Sequence, residues 1–265
     1  MFEIFQFDFM IRAFLAGIAV AAVAPVIGTF LVVRRYSLMA DTLSHVALLG
    51  VALGFLAKIN PLISAAALSI LAAFGLESLR TGRRISGDAA LALFLSGSLA
   101  AAVVIISIAH GFNVSLFSFL FGSISTVSPS DLWLIIGFAF FALLSVFVFY
   151  KELFLVSLDE DLAEASGLKT KFLNIVLTVL AALVVVVSIK VVGALLIGAL
   201  MVIPVLTALQ WKRGFRGTIL LSVLFSLLSA ILGIFFSYYL GWASGGTIVL
   251  ISLFFFLLSA FFGRK

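Results

Sequence analysis

Residues 212–240 read KRGFRGTILLSVLFSLLSAILGIFFSYYL: a short basic segment, then a run from Thr218 to Leu240 without a single charge. Within that run Ile219 to Leu232 shows no alternation of apolar and polar residues, which rules out the strand of an outer-membrane barrel. About 20 apolar residues in helix cross a hydrocarbon layer of roughly 30 Å, and a helix satisfies its own backbone there. The stretch is read as a membrane-spanning helix flanked by a basic loop.

The same pattern recurs along the chain. Of 265 residues 65% are hydrophobic and 10% charged, whereas a soluble domain carries roughly a quarter charged residues. A water-soluble fold cannot hide that much apolar surface, so the solvent is the lipid bilayer and the fold class is an all-α, polytopic integral membrane protein. Reading between charges gives nine transmembrane helices, at 13–33, 38–57, 60–78, 88–109, 131–150, 172–188, 191–210, 218–240 and 246–262, with eight or ten also open. Residues 1–265 form a single transmembrane domain. Glu3 and Asp8 make the leading segment acidic and the apolar run continues past Pro25 to Val33, so this is a first helix and not a cleaved signal peptide. There is no cysteine, hence no disulfide and no thiolate metal site.

The formal charge of +5 would suggest nucleic acid as a partner of a soluble protein, but the basic residues sit in short loops. They report topology. With the N-terminus outside, the cytoplasmic loops collect Arg34 and Arg35; Arg80, Arg83 and Arg84; Lys151, Lys169 and Lys171; Lys212, Arg213 and Arg216; and Arg264 and Lys265, leaving only Arg12, Lys58 and Lys190 outside. The C-terminus is then cytoplasmic. Residues 111–130 are too short and too rich in Gly and Ser to span, and are read as an outer loop with a short interfacial or re-entrant piece. Spans six and seven meet at Lys190 in a tight hairpin, because one long helix would bury that ammonium at a cost of several kcal/mol.

Asp41 and His45 lie four residues apart in the second span. On a helix that spacing puts both side chains on one face, about 5–6 Å apart. From a helix start near Tyr36, a rise of about 1.5 Å per residue carries His45 close to the midplane, where ionisable groups usually face a cavity, a pathway or a partner. Carboxylate plus neutral imidazole suits zinc, manganese or ferrous iron. The alternative is structural, with Asp41 paired to Arg34 or Arg35 and His45 bonded to a backbone carbonyl. Two ligands are too few for a tight site, which points to a transient one or to a second protomer's pair. His110 and Asp131 flank the outer loop, where they would either guide a cation or simply be solvated.

The longest cytoplasmic connection, 151–171, holds DEDLAEASGLK at 159–169. Acid at Asp159, Glu160 and Asp161 favours a helix start and Gly167 a helix end. Leu162 and Ala165, three apart, share one face. The segment is either a surface helix or a docking helix for a soluble partner. Gly193, Gly198 and Pro204 punctuate the seventh span, where small residues allow close helix approach. No G-x-x-x-x-G-K-[ST] run occurs, so any ATP hydrolysis must come from another subunit. No nucleophile–base constellation supports an enzyme.

These residues resemble a known family. SLMADTLSHVALLGVALG (37–54), LFGSISTVSPSDL (120–132), DEDLAEASGLK, VVGALLIGALMVIPVLTA (191–208) and SGGTIVL (244–250) are similar, in the same order, to segments of the permease subunits of zinc-, manganese- and iron-type ABC importers, closest to the zinc uptake permeases. The resemblance implies a homodimeric permease in a prokaryotic plasma membrane. It would receive a divalent metal from an extracytoplasmic metal-binding protein and be driven by a cytoplasmic ABC ATPase dimer. It would hold no permanent cofactor; the metal would be transient cargo and ATP would sit on the partner subunit. Carried over by position, Asp41 and His45 would contact the metal. Asp159, Glu160, Asp161, Leu162, Ala163, Glu164, Ala165, Ser166, Gly167 and Leu168 would form the coupling helix that inserts into the ATPase. The rival reading is an autonomous proton-coupled secondary transporter of a small solute working through Asp41 and His45; a third is a membrane scaffold.

Overall fold

A computed structural model describes residues 6–81, 86–108, 115–123 and 126–262. They form twelve helices: α1 (Asp8–Val33), α2 (Leu38–Ala57), α3 (Pro61–Thr81), α4 (Gly87–Ile108), α5 (Ser115–Phe121), α6 (Pro129–Val148), α7 (Tyr150–Leu158), α8 (Glu160–Ala165), α9 (Thr170–Ser188), α10 (Ile197–Leu209), α11 (Phe215–Leu240) and α12 (Ser244–Phe262). Eight of them, α1, α2, α3, α4, α6, α9, α11 and α12, are long and apolar enough to cross a membrane.

The axis of the bundle is α1. Ala16, Val20, Ala24, Ile27 and Phe30 are all fully buried, and the helix packs against α6, α9, α10 and α11. Its small residues permit this crowding, because dispersion between close backbones is what holds helices together in lipid. At Gly28 a Cβ would run into the Met201 carbonyl of α10. The pair α2 and α3 uses the same device: Gly50 lies against Ala65, and Gly54 against Pro61 and Ser64. Lys58 makes the intervening turn in a left-handed conformation, φ 57°, and Asn60 starts α3 by accepting the Leu62 N–H at 2.9 Å.

The expected seventh span, 191–210, is not one helix. The chain leaves helix after Ser188 and re-enters it only at Ile197, so α10 has 13 residues. Gly193, at φ 95°, makes the break. The freed backbone groups are answered by the end of α5 and the residues after it: the N–H groups of Ala194 and Leu195 donate to the Phe119 and Leu120 carbonyls at 2.8 and 3.2 Å, and Lys190 accepts from the Ser123 N–H at 3.0 Å. Gly122 and Gly193 meet backbone to backbone, and Gly245 of α12 lies on the Val192 carbonyl. The short apolar piece expected between 111 and 130 is therefore α5, and its role is to make an interrupted helix tolerable inside the bundle. Within the long connection the structure adds α7, which follows α6 after a single residue, Phe149.

Gly28→Ala is expected to lower thermal stability in detergent by about 1–3 kcal/mol, the range for an overfilled core. Gly97→Ala on α4, where a Cβ meets nothing within 4 Å, should leave the melting temperature unchanged.

Candidate functional site

Asp41 stands in the first turn of α2 and His45 one turn on, both half-buried among Ala40, Leu43 and Ser44, which are fully buried or nearly so. Thr42 on the neighbouring face ties α2 down by donating to Leu38 at 3.0 Å and to the Leu91 carbonyl of α4 at 3.3 Å. The Asp41 carboxylate lies directly on Gly198, so close that a Cβ there would occupy the place of its oxygen. Gly198 is the second residue of α10. The break in the seventh span thus delivers a bare helix start to the acid.

The structural alternative for this pair does not hold. Arg34 turns away from Asp41 and pairs with Glu160 at 3.2 Å. His45 Nδ1 is buried with no hydrogen-bond partner, and neither side chain makes a hydrogen bond or ion pair among the described residues. Leaving such a nitrogen bare costs about 1–3 kcal/mol. Among the described residues no group of three or more His, Cys, Asp and Glu could hold a metal, so they offer here one carboxylate and one imidazole and no closed cage.

The segment 159–168 folds as a short helix, as read. Asp159 caps α8, its Oδ1 accepting from the Leu162 N–H at 2.9 Å. The helix ends in a Schellman motif: Gly167, at φ 83°, donates to Glu164 at 2.9 Å and Leu168 to Ala163 at 3.1 Å. Leu162 and Ala165 share a face, and it points outward, with Leu162 54% exposed, whereas Ala163 is fully buried. Asp161, Glu164 and Ser166 are exposed as well.

Glu160 is the side chain of α8 that reaches into the bundle. It accepts from Arg34 at 3.2 Å, from both terminal nitrogens of Arg80 at 3.0 Å each and from Asn174 of α9 at 2.7 Å. Arg80 also grips Glu77 through two bonds of 2.8 and 3.1 Å and donates to the Tyr36 hydroxyl at 2.9 Å. Both guanidinium groups lie over the Tyr36 ring, at 5.5 and 5.7 Å from its centroid. One cluster therefore joins α8 to α3, α9, the end of α1 and the turn into α2. Burial alone would raise the Glu160 carboxyl, but the hydrogen bonds from Arg80 and Asn174 and the charges of Arg80 and Arg34 outweigh it and hold it below the usual range. Sequence reasoning passed over Glu77 and Asn174; a carboxylate and an amide at the ends of apolar spans were the available signal.

At the other end Asp131 is neither a solvated flank nor free to guide a cation. It is buried, closes a capping box with Ser128 and pairs with Lys190, whose ammonium also sits 5.7 Å from the Phe119 ring centroid. The ammonium at the break is thus half-buried but compensated. His110 lies outside the described residues.

The description "ABC 3 transport family" matches residues 6–263. The chain belongs to that family. It is 35% identical over 260 residues to the manganese transport system membrane protein MntC of Listeria monocytogenes, covering 98% of this chain and 92% of that one. It is 32% identical over 257 residues to the high-affinity zinc uptake system membrane protein ZnuB of Haemophilus influenzae, covering 97% and 98%. Among solved structures it superposes on PsaBC from Streptococcus pneumoniae in complex with Fab with a TM-score of 0.87 and 34% identity, over 97% of this chain and 92% of that one. The chain is thus a multi-pass membrane permease subunit of an ABC transporter, and ATP hydrolysis belongs to a separate subunit. The autonomous proton-coupled transporter finds no support in these likenesses.

A depressed folded-state carboxyl contributes stability above its unfolded value, about 4.3 for Glu, and loses it as pH falls towards the folded value. Wild type is therefore expected to melt higher than Glu160→Gln at pH 7, with the gap closing below about pH 4.3; thermal melts across pH 3–8 would show a constant gap if Glu160 were unpaired.

Proposed function

We propose that this permease imports a divalent transition metal, with Asp41 and His45 as transient ligands along its pathway and residues 159–168 as the coupling helix. The observation that carries the reading is the unpartnered His45 Nδ1 one helical turn from an unpaired carboxylate inside an apolar helix. A buried imidazole nitrogen without a hydrogen bond and a carboxylate without a counter-ion suit a passing cation. A cargo ion must also leave, so one acid and one imidazole are better suited than a four-ligand cage. Further donors would come from water or from a second permease copy, in keeping with a homodimer. Tight capture of the metal would rest with an extracytoplasmic binding protein.

The preference among metals moves from zinc to manganese. Carboxylate and imidazole serve both, and identity does not separate them, at 31–36% for the relatives named for manganese transport and 32% for the zinc system; what favours manganese is that more of the relatives carry its name. In the orientation set by the basic loops, the Arg34, Arg80 and Glu160 end faces the cytoplasm of a prokaryotic cell, the N-terminus lies outside and the C-terminus inside. There α8 presents Leu162 and its acidic rim outward, while Glu160 fastens it to α1, α3 and α9. A push on α8 by an ATPase dimer then reaches the turn that starts α2, and with it Asp41.

In proteoliposomes holding permease, ATPase and binding protein, Asp41→Ala and His45→Ala should each lower manganese uptake at least about ten-fold, the scale on which weaker perturbations of metal sites already act, with ATPase binding intact. Wild-type uptake of manganese and zinc in both variants would overturn the assignment. Leu162→Asp should instead weaken capture of the ATPase in pull-down while leaving the permease folded; undiminished capture would remove residues 159–168 from that interface.

A further inference from the structure

Both α6 and α11 pack on α1, yet they make little contact with each other. The gap between them is a cleft of about 700 Å³ lined by Phe147, Val148, Ile219 and Leu220 above and by Tyr150, Lys151, Glu152 and Arg216 below. A second cavity of about 420 Å³ adjoins it, sharing Tyr150, Lys151 and Arg216 and reaching Phe154 and Phe215. The upper walls open towards the hydrocarbon, with Phe147 81% and Leu220 71% exposed. The lower walls carry charge at the level where α6 and α11 meet the membrane surface. A cavity that changes from apolar to basic along its length matches a molecule that does the reverse.

The cations are available. Lys151 and Arg216 are exposed, and neither is in an ion pair among the described residues. Arg216 stacks over the Tyr150 ring at 5.4 Å, a contact that orders the side chain without using an N–H donor. The ring is itself fixed by Phe30, Phe154 and Phe215, so the floor is rigid. Glu152 lines the same cleft, and one of its carboxylate oxygens is buried without a partner. With one acid beside the two bases, the lining favours a headgroup of single negative charge over a polyanion.

We propose that this cleft binds an anionic glycerophospholipid, its phosphate on Lys151 and Arg216 and an acyl chain in the groove between α6 and α11. Basic pockets between transmembrane helices at the membrane surface recognise headgroups in this way, and the groove supplies what a free anion would not use. A bound lipid would fill the space between two helices that otherwise make little contact with each other, next to α7 and the arm that carries α8. The site is independent of Asp41 and His45 and stands whether or not they carry metal.

The test is native mass spectrometry of the full-length permease in non-ionic detergent with added phosphatidylglycerol, phosphatidylcholine or inorganic phosphate. Wild type should retain phosphatidylglycerol over phosphatidylcholine, and the double variant Lys151→Gln, Arg216→Gln should lower that retention about ten-fold or more without changing the melting temperature in lipid-free detergent. Leu220→Trp, which fills the groove and leaves both charges, should lower it too. Equal retention of the two lipids, or wild-type retention in the double variant, would overturn the proposal. So would complete displacement of phosphatidylglycerol by inorganic phosphate, which would mark a surface anion site. Protection of Lys151 from amine labelling by the ATPase in lipid-free detergent would assign the patch to that protein instead.

Discussion

Inside lipid no water is present to satisfy a free backbone group, and the whole architecture depends on how this chain meets that constraint at one break. Between Ser188 and Ile197 the helix stops, which would strand several N–H and C=O groups in the bundle. Residues 119–123 answer them through three backbone hydrogen bonds, and glycines at 122, 193 and 245 let the strands of chain approach closely enough to do so. Because the break is affordable, α10 starts within the bundle. Its second residue, Gly198, then leaves room for the Asp41 carboxylate. Backbone satisfaction at one point thus shapes the candidate metal site at another.

The opposite end of the bundle solves a charge problem. Arg34 and Arg80 are drawn partly out of water, and Glu77, Glu160, Tyr36 and Asn174 compensate them. A buried ionic cluster of this kind contributes little net stability and is costly to break. Its value here is connectivity: without it a six-residue helix with an exposed leucine would rest on α7 and α9 through little more than Ala163. Glu160 makes it part of the frame that also holds α1, α3, α9 and the turn into α2.

Much of this was legible beforehand. Apolar runs and loop charges marked the helices, because length and hydropathy are set by the bilayer and not by tertiary detail. The pairing of Asp41 with His45 followed from helical spacing, and Asp159 and Gly167 announced the ends of α8. The seventh span was misread as continuous, since its residues are as apolar as a helix requires and only the partnership with 119–123 makes the break possible. Asp131 was taken for an exposed flank because Lys190 lies 59 residues away in sequence. The inward face of α8 was hidden for the same reason: Glu160 looks like one acid among three until Arg34, Arg80 and Asn174 are brought to it. What sequence withholds is long-range pairing of polar groups.

We propose that the broken span serves to seat the Asp41 carboxylate against the bare start of α10, on the proposed metal pathway. Gly198→Ala tests it with the smallest change, a single methyl group placed where the carboxylate now lies. Initial rates of manganese uptake into proteoliposomes containing the full importer should fall to a small fraction of wild type for Gly198→Ala while the ATPase remains bound. Wild-type uptake by Gly198→Ala would contradict the account, because the seat of Asp41 on Gly198 would then have no part in transport.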